Sequence, residues 1–328
     1  MRIRSFGLCL SRNPVSVPLS RPLAPGSRIR VLAPASAPFD ADAAEPGIAA
    51  LRERGFDVVP PPSHEQYGHL STTDDQRLAD LNYALRDPET SAIVCVRGGY
   101  GTLRLLPGVD YHAARTHRPL VVGYSDITAL QLALLTHAEL PSLSGPMVAV
   151  EWGDIDDRSE ALFWDLARGG TPDNLLGPGG ERLTPMRAGK AEGRLIGGNL
   201  ALITRLIGTP YLPDLDGAIL FFEEVGESPY RLDGMLAHLA LSGALDRIGG
   251  LLIGQITEAD PRPGRPSLTI EQVLTDHLAH LPIPIASGLV YGHIPVKNTM
   301  PIGVRARLDV TGDAARLAIL SPVTESAS

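Results

Sequence analysis

The chain has 328 residues, 44% of them hydrophobic and 20% charged, a globular composition long enough for two domains. Its 29 basic and 37 acidic side chains give a net charge of -8, which repels phosphate backbones and argues against nucleic acid as a partner. No run approaches the ~18 apolar residues of a membrane span. The two cysteines, Cys9 and Cys95, suggest neither a disulfide framework nor a zinc site, so a cytoplasmic protein with no membrane, metal or cofactor requirement is expected.

Residues 1–22 carry Arg2, Arg4, Arg12 and Arg21 around an apolar patch at 6–10. That patch is shorter than the ~7–15-residue core of a secretory signal, and the segment reads as a disordered extension. Residues 28–33 (RIRVLA) predict a first strand, 41–54 a helix ending at Gly55, and 56–59 a second strand. Asp74 can cap a helix running to Arg86. Residues 92–96 (AIVCV) and 119–123 (PLVVG) are apolar strands, and a helix starts at Asp126 with Ile127, Leu130 and Leu134 on one face. Short apolar strands alternating with helices predict a parallel α/β sheet. Residues 169–191, crowded with glycine and proline, predict a linker between a domain over 23–168 and a second over 192–322. In the second, helices are expected near 199–207, 230–241 and 270–280, strands at 218–223 and 248–256, and β-rich segments at 302–310 and 315–320.

Three places carry chemistry. In Gly123-Tyr124-Ser125-Asp126-Ile127-Thr128 a strand runs into Ser125 and a helix leaves it. Such a turn exposes a hydroxyl at the carboxyl end of the sheet and aims helix N–H groups at a developing oxyanion, as a nucleophile elbow does. A plain helix N-cap explains the same serine equally well. Arg97-Gly98-Gly99-Tyr100-Gly101 follows the strand at 92–96 and would end on the same sheet edge. Adjacent glycines let backbone approach a ligand there. A serine nucleophile needs a base and an orienting acid. His293, in the loop Val290-Tyr291-Gly292-His293-Ile294-Pro295, is presented best among the nine histidines. His277 and His280 stand three apart on a helix but lack the carboxylate or cysteine partners of a metal site. Glu223 and Glu224 end the apolar strand at 218–223, and alternation points them opposite ways, so one of the two would face a site.

The set RGGYG (97–101), GYSDIT (123–128), SGPM (144–147), EGRLIGGNL (192–200), GTPY (208–211), ILFFEEVGESPYRLD (219–233) and GHIPVKN (292–298) resembles the LD-carboxypeptidase family of serine peptidases, in the family's order and over most of the chain. The resemblance implies a flavodoxin-like N-terminal domain with a smaller α/β C-terminal domain, and a triad of Ser125, His293 and Glu223. It implies an oxyanion hole from N–H groups of Asp126, Gly98 and Gly99. Where relatives often have Glu-Asp, this chain has Glu223-Glu224, which leaves the choice of acid open between them. The expected activity is release of terminal D-alanine from murein tetrapeptides by a homodimer. A microcin C-type immunity hydrolase of aminoacyl-adenylate analogues is the alternative; it needs a stacking surface for the base, and the only tryptophans, Trp152 and Trp164, read better as core or interdomain packing. Arg97 and Arg231 are candidate partners of the substrate carboxylate. An α/β-hydrolase esterase fits less well, because Ile127 stands where G-x-S-x-G requires glycine.

Overall fold

The structure, a computed structural model, describes residues 19–38, 40, 42–261, 264 and 266–325. Cys9 and most of the extension read over 1–22 lie outside the described residues. The packed chain begins before that boundary: Ser20 is buried, its N–H donates to Val323 O at 3.0 Å and its hydroxyl to Pro141 O at 3.0 Å.

The first part of the chain alternates β1 (Arg28–Leu32), α1 (Glu45–Glu53), β2 (Asp57–Val59), α2 (Asp74–Arg86), β3 (Thr90–Cys95), α3 (Thr102–Leu105), α4 (Tyr111–His117), β4 (Leu120–Val122), α5 (Ile127–Ala138), β5 (Ser142–Ser144) and α6 (Asp157–Ala167). The second comprises β6 (Thr184–Arg187), β7 (Gly189–Asn199), α7 (Leu200–Leu206), β8 (Ile219–Val225), α8 (Pro229–Leu241), α9 (Ala244–Arg247), β9 (Gly250–Thr257), α10 (Ile270–Leu278), β10 (Ile285–Ser287), β11 (Met300–Ile302), β12 (Arg305–Thr311) and β13 (Ala314–Ile319).

The first sheet has the order β11-β5-β4-β3-β1-β2, and its parallel part, β2-β1-β3-β4-β5, is the flavodoxin-like arrangement. β4 is buried along its whole length, as a parallel strand covered on both faces must be. The second sheet has the order β13-β12-β7-β8-β9-β10-β6, parallel from β7 to β10. One hydrophobic cluster runs from Ile29 and Val94 through Leu132 to Ile203 and Phe221, so the two sheets share a core.

The structure departs from the sequence reading where tertiary context decides. Thr73, not Asp74, caps α2; Asp74 is its first residue, where a carboxylate meets the positive end of the helix dipole. The segment at 169–191 is not all linker: β6 pairs on the sheet edge, a place that tolerates its Pro185, and β7 has begun by Gly189. Helix α5 is not amphipathic, because the first sheet covers one side and α7 and β7 the other; Ile127 to Leu135 are all buried. The region at 302–310 divides at Gly303: β11 returns to pair antiparallel with β5 in the first sheet, and β12 joins the second.

Candidate active site

Ser125 sits between β4 and α5 with φ +62, a left-handed conformation that costs a non-glycine residue about 1–2 kcal/mol. The cap position of α5 belongs to Asp126, which removes the N-cap explanation of Ser125. Its hydroxyl instead lies 3.0 Å from Nε2 of His293. Strain at a residue whose side chain reaches a histidine is characteristic of functional turns.

The buried Asp126 carboxylate turns away from its own helix and accepts the N–H of Thr102 at 2.8 Å, while the Thr102 hydroxyl donates to Asp126 C=O at 2.5 Å. These bonds tie the loop at 97–101 to the elbow. Burial raises the Asp126 carboxyl above the usual carboxylate range despite those bonds. The sequence reading assigned only the backbone of Asp126, and the side chain's part was missed. Gly98 lies against the serine: a Cβ there would be 2.8 Å from Ser125 Cβ. Gly99, at φ +112, packs on Ser36, where a Cβ would be 2.6 Å from the serine Cβ. Both glycines and Ser125 line one cleft, so backbone N–H groups can approach a carbonyl held at the serine.

His293 lies in the loop between β10 and β11. Its Nδ1 is 2.7 Å from Oε2 of Glu223, whose side chain is fully buried at the end of β8. An imidazole between a carboxylate and a hydroxyl is held in the tautomer that can take the hydroxyl proton. Strict alternation would separate Glu223 from Glu224, but the pairing of β8 with β9 shifts register between Phe222 and Glu224. Both carboxylates therefore reach Asn199 Nδ2, at 3.2 and 3.0 Å. Only Glu223 has the bond to His293; Glu224 accepts the N–H groups of Ala201 at 2.8 Å and Val225 at 2.9 Å. Burial raises the Glu224 carboxyl. Asn199 also caps α7, and its N–H donates to Thr128 of α5 at 3.1 Å, so it links the acid to the nucleophile's helix. Its position ahead of an apolar helix was the signal that the sequence offered for it.

The cleft at Ser125 has a volume of about 330 Å³, with Arg97, Tyr124, Met147 and His293 in its walls. Arg97 is brought to the site, donating to Ala37 O at 3.2 Å. Arg231 is not: it stands on the exposed face of α8, 3.3 Å from Glu227 one turn earlier. Trp152 and Trp164 are buried and pack with Phe163, so neither offers a free stacking face. His277 pairs with Asp233 at 2.6 Å, and among the described residues no group of three His, Cys, Asp or Glu side chains could hold a metal. Burial pushes the Cys95 thiol up to about 12, so it stays protonated and inert. No helix among the described residues is long and apolar enough to cross a membrane.

Lys297, four residues beyond His293, went unnoticed in the sequence. Its ammonium is 2.7 Å from Oε1 of Glu151 and 4.0 Å from the centre of the Tyr124 ring. The Tyr124 hydroxyl donates to the same Glu151 oxygen at 2.8 Å, and Glu151 Oε2 accepts the N–H of Met147 at 2.9 Å. The Tyr124 ring meets the His293 ring edge-on, 5.2 Å between centres.

Family models described as the LD-carboxypeptidase N-terminal domain and the LD-carboxypeptidase C-terminal domain match residues 29–145 and 192–308. The chain belongs to the LD-carboxypeptidase family. It is 36% identical to a probable murein peptide carboxypeptidase of Bacillus subtilis, covering 88% of this chain and 91% of that one. It is 32% identical to the murein tetrapeptide carboxypeptidase of Pseudomonas aeruginosa, covering 86% and 93%. Among solved structures, a muramoyltetrapeptide carboxypeptidase from Oxalobacter formigenes superposes with a TM-score of 0.77 at 30% identity, covering 89% of this chain and 98% of that one. The fold is also that of a microcin C7 self-immunity protein in complex with glutamyl sulfamoyl guanosine, at a TM-score of 0.81 and 23% identity over 94% of this chain and 99% of that one. Family and relatives together support a serine-type carboxypeptidase.

Proposed function

We propose that the protein hydrolyses the L,D peptide bond that releases terminal D-alanine from murein tetrapeptides. The observation that carries the reading is the hydrogen-bonded series Ser125–His293–Glu223 at the cleft, at 3.0 and 2.7 Å. Ser125 Oγ attacks the carbonyl carbon while His293 Nε2 takes its proton. N–H groups of Asp126 and the Gly98-Gly99 loop hold the oxyanion. Collapse breaks the C–N bond, His293 protonates the departing amine of D-alanine, and water cleaves the acyl-enzyme by the same proton route in reverse. Arg97 meets the free carboxylate of the leaving residue.

The aminoacyl-adenylate reading draws no support from the two tryptophans, which are enclosed in the core. The deciding test compares initial rates on tetrapeptides ending in D-alanine or L-alanine, a pentapeptide ending in D-alanyl-D-alanine, and an aminoacyl sulfamoyl adenosine. The D-terminated tetrapeptide should be hydrolysed fastest by a wide margin. Inverting the terminal centre swings its carboxylate from Arg97 and leaves a buried charge unpaired. Equal rates for the two tetrapeptides, or preference for the adenosine compound, would overturn the proposal.

A further inference from the structure

The loop that carries His293 is fastened to the first domain at a second point, and nothing in the proposed chemistry uses that fastening. Lys297 is not in the wall of the Ser125 cleft. Its side chain is 7% exposed and that of its partner Glu151 10%, so the pair is shielded from water and from substrate. An ammonium on a flexible four-carbon stem is held here by two groups at once, the Glu151 carboxylate and the Tyr124 ring face. Tyr124 immediately precedes the strained Ser125 and touches His293 with its ring. Glu151 gathers three donors: the Lys297 ammonium, the Tyr124 hydroxyl and the Met147 N–H. Lys297 N–H also donates to the hydroxyl of Ser159 on α6, at 3.3 Å. The base loop and the elbow are thus joined on both sides of the Tyr124–Ser125 peptide, once through the reacting hydrogen bond and once through Lys297.

We propose that Lys297 and Glu151 are positioning residues that hold the His293 loop in register with the nucleophile elbow, acting through the Tyr124 ring. Without the ion pair the His293 loop still has the bonds to Glu223, Ser159 and Ser144. The Tyr124 ring that touches His293 loses the cation against its face, however, and the loop loses its charged tie beside the elbow. A displacement of about 1 Å between base and nucleophile is enough to cost on the order of 10²-fold in rate. Neither residue faces the cleft, so the loss is expected mainly in rate, with a smaller effect on binding through the wall residue Tyr124.

The test is the rate at which Ser125 is phosphonylated by a small fluorophosphonate, followed by intact-protein mass spectrometry. In that reaction the serine oxygen bonds to phosphorus, fluoride leaves, and His293 takes the proton. It needs an activated serine but not the natural substrate, although it does rest on the triad reading. For Lys297→Met the maximal labelling rate should fall about 10–100-fold with the half-saturating concentration little changed. Lys297→Arg, which restores a cation, should recover most of the loss. Glu151→Gln combined with Lys297→Met should cost little more than Lys297→Met alone, since the two act as one unit, and it avoids the unpaired buried carboxylate that could unfold the single variant. A folded Lys297→Met or double variant labelled as fast as the wild type would overturn the proposal. So would a loss confined to half-saturation, or an arginine variant no better than methionine. A wild type that is not labelled at Ser125 at all would instead remove the triad reading on which the proposal stands.

Discussion

The left-handed backbone at Ser125 makes a prediction that separates strain from chemistry. Ser125→Ala and Ser125→Gly both delete the hydroxyl and its 3.0 Å bond to His293, so they differ only in the Cβ. At φ +62 an L-residue is penalised by about 1–2 kcal/mol, and glycine is not. Against that gain, glycine loosens the unfolded chain by about 0.4–1 kcal/mol. The glycine variant should therefore be more stable than the alanine variant by about 0.5–1 kcal/mol, a melting difference of about 1–3 °C for a chain of this size. Neither should retain activity, with losses of at least about 10³-fold in kcat. Thermal melts and steady-state hydrolysis on the same preparations check both halves. A glycine variant less stable than alanine would refute the strain argument, and turnover by either variant would refute the role of Ser125.

The two neighbouring glutamates should part company. Glu223→Gln should lower kcat by about 10²–10⁴-fold with a near-normal melt, because an amide N–H₂ facing Nδ1 imposes the wrong imidazole tautomer. Glu224→Gln should lose about 1–3 kcal/mol of stability while its folded fraction turns over, since one amide oxygen cannot serve the N–H groups of both Ala201 and Val225 along with Asn199. The reverse pattern in melts and turnover would exchange their roles. The Arg54 fork, which bonds both oxygens of Glu160, holds that carboxyl below the usual glutamate range, with burial opposing. The folded value being depressed, its stabilisation is present above an unfolded pKa of about 4.3 and disappears as pH falls through the lower folded value. Glu160→Gln should therefore shift the urea midpoint at about pH 6 and shift it much less at about pH 3; equal shifts at the two values would contradict the linkage.

How far the sequence reached depended on whether the signal was local. Ser125, Glu223 and the glycines at 98 and 99 each end or follow an apolar run, which alone put them at the carboxyl ends of strands; the choice of Glu223 over Glu224 needed the family resemblance. The glycine and proline that frame His293 made it a candidate, and only the family resemblance gave it the base's part; the structure sets its ring between Ser125 and Glu223. Lys297 was not found, because its meaning lies in Glu151, 146 positions away. Arg231 was overvalued for the opposite reason: a charge near a motif looked functional, yet it is satisfied by Glu227 within its own segment. Strand β7 escaped notice because glycines at 189, 193, 197 and 198 lower strand propensity, although its neighbours β8 and β12 hold it firmly in the sheet. The apparent amphipathicity of α5 came from choosing three residues on one face of a helix that is covered all round.

The excursion of β11 into the first sheet bears on whether the halves of this molecule are independent pieces. A cut in the glycine- and proline-rich stretch near 177–180 would look harmless on the sequence. The amino-terminal fragment would nevertheless lose the partner of β5, leaving an unpaired edge beside the bared apolar surface of α5, a combination that invites aggregation. The carboxyl-terminal fragment would carry β11 with no sheet to join and the histidine loop on a free tether. The two fragments should thus be insoluble when made separately and recover a working protein only when made together. The same threading means that neither half can be exchanged for a foreign one without also exchanging the short strand after the histidine.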